Sequence, residues 1–177
     1  MKKTILLTSI LSISAADAAV TLFAEYHLGE AGSLGAGNTP QDSSGNNRHF
    51  TNEISGGTTS TSTTGVSAPG STTYLDTSGA GDEGWYGDAL SGLATDDFAI
   101  GIYARASSTA TNQGGIFTTA GGAGGFKISL DANGWGASHH DVAWIGTDGG
   151  QVGSFTADTW THLALIRSGG VTDFFID

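Results

Sequence analysis

The stretch that most constrains this chain is Trp160 to Asp177, WTHLALIRSGGVTDFFID, two runs of strand-forming residues flanking Gly169-Gly170. A Gly-Gly pair supplies the positive φ that a tight antiparallel turn requires, so the stretch reads as a β-hairpin. Its first arm is apolar or aromatic at Trp160, Leu163, Ala164, Leu165 and Ile166. That near-continuous run predicts a strand covered on both faces, as in the inner layer of a sandwich. The second arm runs Val171 to Ile176, and a strand stopping at Asp177 implies a chain that is incomplete at this end.

Residues 1–18 are set apart from the fold. Met1-Lys2-Lys3 is a basic lead, Ile5 to Ile13 a short apolar run, and Ala16-Asp17-Ala18 a small-residue cleavage signal. This is the pattern of a secretory signal peptide, too short for a spanning helix, and it implies a secreted or cell-surface protein. Nothing later in the sequence reads as a membrane span, so one domain is expected over residues 19–177. With the leader go Lys2, Lys3 and Asp17, so the 6 basic and 17 acidic residues become 4 and 16, a net charge of −12. Such a surface repels phosphate backbones and argues against a nucleic-acid partner. It suits an exported protein, with or without bound divalent cations.

There is no cysteine, so neither disulfides, thiol catalysis nor a Cys-ligated zinc site is available. Glycine is abundant at 29 residues and proline scarce at 2, without a collagen period. Val20 to Leu28 mixes β-branched and aromatic residues and is expected to be the first strand, with Leu22, Ala24, Tyr26 and Leu28 on one face. Arg48 to Ile54 is a candidate short strand, and Ser55 to Thr73 an exposed low-complexity loop. Further strands are expected near 73–76, 98–105, 115–119, 125–131, 142–146 and 151–155. In the second of these Phe98, Ile100, Ile102 and Ala104 alternate with Ala99, Gly101, Tyr103 and Arg105. Asp131-Ala132-Asn133-Gly134 and Asp148-Gly149-Gly150 have the composition of hairpin turns. No stretch after the leader keeps a helical period for three turns; Asp88 to Asp97 comes closest and is interrupted by Gly92. The expected class is all-β, an antiparallel β-sandwich or jelly roll.

Several landmarks, in this order, resemble the laminin-G-like jelly roll of the concanavalin A-like lectin/glucanase superfamily, in its secreted bacterial form. They are Tyr26-His27-Leu28-Gly29-Glu30, Asp42-Ser43-Ser44-Gly45-Asn46, the strand at 98–105, Gly125-Phe126-Lys127-Ile128, and Trp160-Thr161-His162-Leu163-Ala164 followed by Phe174-Phe175-Ile176-Asp177. The Trp-x-His-x-Ala strand with its hairpin is the most specific of them. The resemblance implies a recognition module for a glycan or an extracellular protein. It also implies further strands beyond the final Asp, and Ca²⁺ at edge loops in some relatives. Asp42, Ser44 and Asn46 offer the hard oxygens such an ion takes; the alternative is an Asx turn without metal.

Enzymes of that superfamily carry paired carboxylates on one strand, because a retaining glycosidase needs two carboxyl groups about 5 Å apart. Glu25, Glu30 and Glu53 are widely separated and Asp96-Asp97 point to opposite faces, so a noncatalytic module is expected. His139-His140-Asp141 places His139 and Asp141 on one strand face, which suits a metal or a base, against the plainer reading of a polar hairpin edge. His162 sits between core positions and reads as a hydrogen-bonded structural histidine, and Gly121 to Gly125 as a flexible turn. Sugar rings stack on exposed aromatics. Trp85 and Tyr86, beside a Gly/Asp loop, and Trp135, beside Asn133-Gly134, are the candidate platforms, with Trp144 within a strand; the alternative for each is core or rim packing. A structural or adhesive spacer with no ligand site is the competing function.

Overall fold

The computed structural model describes residues 21–28, 33, 38–54, 60–62, 68–69, 74–76, 84–87, 97–107, 114–118, 126–131, 134–139, 143–145 and 151–177. Residues 1–20, and the stretches 88–96 and 121–125, lie outside these. Every regular element among the described residues is a strand: β1 Asn52–Ile54, β2 Ser60–Ser62, β3 Tyr74–Asp76, β4 Gly84–Tyr86, β5 Phe98–Arg105, β6 Gly114–Thr118, β7 Phe126–Asp131, β8 Gly134–His139, β9 Ala143–Ile145, β10 Gln151–Gly153, β11 Trp160–Ser168 and β12 Val171–Ile176. Among the described residues no helix is long and apolar enough to cross a membrane.

The closing hairpin forms as its sequence dictates. Gly169 and Gly170 take φ of +57° and +82°, the left-handed values a two-residue turn needs. Ser168 then faces Val171 and Leu163 faces Ile176 in a regular antiparallel ladder. The Asp97 carboxylate accepts the Gly169 N–H at 3.0 Å, tying this turn to the start of β5. Pairing of β11 with β5 from Trp160↔Arg105 to Arg167↔Phe98 completes a three-stranded sheet, β12-β11-β5. A second, five-stranded antiparallel sheet runs β10-β8-β7-β6, with β9 also on β8. Two further two-stranded pairings, β1-β4 and β2-β3, complete the sheets of the described residues.

One apolar core joins the two larger sheets. Leu163 and Leu165 of β11 have no solvent exposure, and neither do Ile128 of β7 and Ala137 of β8. Phe98 of β5 meets Phe126 of β7 edge-to-face, ring centroids 5.0 Å apart. Each fully buried leucine contributes roughly 1.5–3 kcal/mol of transfer free energy. The alternation read in β5 holds: Phe98 and Ala104 are buried, Ile100 and Ile102 half-buried, while Ala99, Gly101, Tyr103 and Arg105 face out.

Several features differ from the sequence reading. Residues 21–28 form no strand ladder, because their backbone groups are taken up by the side chains and backbone of the 42–46 loop. The low-complexity stretch contains β2, paired with β3. The β11 strand is fully covered on one face only; on the other His162 and Ala164 are half-buried and Ile166 is 38% exposed. Lastly, β9 and β10 do not form a hairpin around Asp148-Gly149-Gly150. Both lie antiparallel on the same edge of β8, Ile145 opposite Ala137 and Gln151 opposite Gly136. The two strands therefore lie in line on that edge of β8.

The start of β8 is the tightest point of this sheet. Gly134 has φ +148°, and a Cβ there would lie 1.8 Å from the Gly153 carbonyl oxygen. Gly134→Ala therefore has to part β8 from β10, and we expect a loss of several kcal/mol in urea denaturation, in the range of severe core changes. Gly170→Ala meets nothing within 4 Å and carries only the left-handed strain, so it should cost about 1 kcal/mol.

Candidate functional site

Among the described residues, the densest polar construction lies between residues 22–27 and 39–50, and Asp42 is its hub. Its carboxylate is 8% exposed and accepts three backbone N–H groups: Glu25 at 3.0 Å and Ser44 at 2.9 Å on Oδ1, Arg48 at 2.9 Å on Oδ2. Burial alone raises the pKa of this carboxyl. The Ser44 hydroxyl and the N–H groups of Arg48, Glu25 and Ser44 outweigh it and hold the group well below the usual carboxylate range.

Around the hub, each residue type has a conformational reason. Asn47 and Gly45 take positive φ of +56° and +87°, as Asn and Gly tolerate. The Ser44 hydroxyl accepts the Asn46 N–H at 3.3 Å, continuing the turn. The Asn46 side-chain amide donates to the Leu22 and Phe23 carbonyls at 2.8 and 3.2 Å, and Ser43 N–H donates to Glu25 O at 2.8 Å. Asp42 N–H donates to Nδ1 of His49 at 2.9 Å, which fixes that nitrogen as an acceptor. The Arg48 guanidinium lies 3.6 Å from the centre of the Phe23 ring, and Tyr26 packs on Phe50 at 5.0 Å. The Tyr26 hydroxyl donates to the Arg48 carbonyl. Its pKa is pushed up to about 12, by burial first and then by the Asp42 charge, against the opposing pull of Arg48.

Asp42, Ser44 and Asn46 are linked by hydrogen bonds among themselves and to residues 22–25. A Ca²⁺ ion taking Asp42 as ligand competes with N–H donors already on both of its oxygens. No group of three metal-ligating His, Cys, Asp or Glu side chains occurs among the described residues.

The ligand-site candidates fall on two strands, β4 and β8. Trp85 and Tyr86 lie on β4, opposite Glu53 and Asn52. His139 is the last residue of β8, between Phe126 and Ala143 in register; His140 and Asp141 lie outside the described residues. Trp135 corrects the expectation of an exposed platform. It lies within β8, is 1% exposed and meets Phe155 edge-on at 6.5 Å. Its loop-like neighbours Gly134 and Gly136 are buried strand residues that let adjacent strands close around the indole. The indole N–H has no hydrogen-bond partner among the described residues.

The sequence reading missed a different set. Tyr103, Ile166, Val171 and Phe175 are 42%, 38%, 62% and 52% exposed on the outward face of the three-stranded sheet. The signal was present in the alternation of β5, whose outward residues include a tyrosine. Compared with family models, with curated proteins and with solved structures, the chain finds no match.

The hub yields a test with a defined sign. A carboxylate whose folded pKa is depressed contributes stability above its unfolded value, about 3.9, and loses it as pH falls through the folded value. Asp42→Asn should cost about 2–4 kcal/mol at pH 7, since one N–H then faces an amide group. The gap from wild type should narrow below about pH 4, and chemical denaturation at pH 7 and pH 3 reads both.

Proposed function

We propose that this chain is an exported, noncatalytic recognition module, a laminin-G-like jelly roll that binds a glycan or a protein at the cell surface or in the matrix. The observation that supports it most is the Trp160–Asp177 hairpin. Its first arm is the central strand of one sheet, and Leu163 and Leu165 on that arm are fully buried in the core shared with the second sheet. That is the arrangement a sandwich of this class needs. Among the described residues, carboxylates with structural partners include Asp42 with backbone N–H groups, Asp97 with Gly169, Asp158 with Arg105 at 3.0 Å and Glu25 with His27 at 3.3 Å. This favours recognition over glycoside hydrolysis.

Calcium belongs to the same proposal, at the loop of Asp42, Ser44 and Asn46. Because Asp42 is already hydrogen-bonded, such an ion rearranges the loop on binding. Its signature is a melting temperature that chelator lowers in wild type and leaves unchanged in Asp42→Ala; equal wild-type melts with calcium and with chelator assign the loop to its own hydrogen bonds.

The module itself is tested by a glycan array and a screen of surface and matrix proteins. Selective, saturable binding to either is expected. Absence of both favours a spacer domain, and turnover of a β-glucan overturns the noncatalytic assignment.

A further inference from the structure

The outward face of the β12-β11-β5 sheet is built in rows. Cross-strand register puts Tyr103, His162 and Asp177 in one row, Gly101, Ala164 and Phe175 in the next, and Ala99, Ile166 and Asp173 in the third. The middle row has small residues on two strands and an exposed ring on the third, with Tyr103 and His162 on one side and Ile166 on the other. The outer rows stand about 13 Å apart along the strands, room for one sugar ring lying flat between them.

Gly101 is the informative residue. A glycine inside a strand weakens it and often marks a close approach. Here a Cβ at Gly101 would lie 3.0 Å from Nε2 of His162, so the glycine allows the imidazole to lie down over the β5 backbone. In that position the imidazole meets the Tyr103 ring at 4.9 Å, tilted by 41°. A tyrosine, a laid-down imidazole and the exposed Phe175 ring thus border a shallow floor.

We propose that this face is a binding site for a neutral glycan, which rests on the recognition reading above and gives it a location. The aromatic rings supply faces for the C–H surfaces of a sugar, while Nε2 of His162 and the exposed carboxylates of Asp173 and Asp177 supply partners for its hydroxyls. Charge selects among occupants. With Asp173 and Asp177 at its edge, on a chain of net charge −11, the face repels sulfated or uronic-acid glycans and a second copy of itself. A neutral polyol, which donates hydrogen bonds to carboxylates, is the complementary ligand.

The experiment is native affinity electrophoresis of the protein through gels containing a soluble glucan, mannan or galactan, with dextran sulfate as the anionic control. At least one neutral polysaccharide should retard the protein, and dextran sulfate should not. Tyr103→Ala and Phe175→Ala remove exposed rings and should weaken retardation about tenfold each, as truncation of a central aromatic contact does. Their melting temperatures should stay close to wild type, and Tyr103→Phe should keep binding. Retardation unchanged in both alanine variants overturns this site and leaves the recognition module standing. Retardation by dextran sulfate overturns the neutral assignment. No retardation by any of the three neutral polysaccharides overturns the glycan inference and leaves a protein as the module's ligand.

Discussion

The structure depends on β11 holding its register between two partners. Leu163 is opposite Ile102 on one side and Ile176 on the other, and Leu165 is opposite Ile100 and Phe174. A slip of one residue on either side turns these apolar rows outward and leaves His162, Ala164 and Ile166 facing the second sheet. Two devices hold the register. The Gly169-Gly170 turn fixes β12, and Asp97, one residue before β5, reaches the same turn. The second sheet, with Phe126, Ile128, Trp135 and Ala137, packs on the surface so defined.

The residues before β1 hold together by different physics. Residues 22–27 and 39–50 are joined by side-chain-to-backbone hydrogen bonds and one buried carboxylate, with little apolar area fully removed from water. Desolvation alone disfavours a carboxylate in that position, and three N–H groups make it the stable form. This region therefore answers to pH, and the sheet core to changes in side-chain volume.

How far each part was legible follows from the same contrast. The β5 strand and the closing hairpin were readable because period-two alternation and a Gly-Gly turn are local properties. The β8 strand was not. GWGASH has little strand propensity, and it becomes a strand because β7 pairs with one edge while β9 and β10 share the other. The error over Trp135 has the same origin, since glycines beside a tryptophan suggest a loop until neighbouring strands require small residues there. At the candidate site, the Asp-Ser-Ser-Gly-Asn composition announced a turn. Its attachment to residues 22–25, across about twenty positions of sequence, is a tertiary fact that no local pattern carries. The outward face of the three-stranded sheet was hidden because the apolar run in β11 implied cover on both sides. Some of those apolar residues in fact face water.

The shared edge of β8 has a consequence for how this fold can vary. β9 and β10 lie in line along one edge of β8, Ile145 opposite Ala137 and Gln151 opposite the adjoining Gly136. With both flanks paired to β8, a change in chain length between Ile145 and Gln151 need alter neither pairing, and each doubling of a connecting length adds only about 0.6 kcal/mol of closure entropy. This edge is where the molecule can acquire new surface while its core pairing stays unchanged.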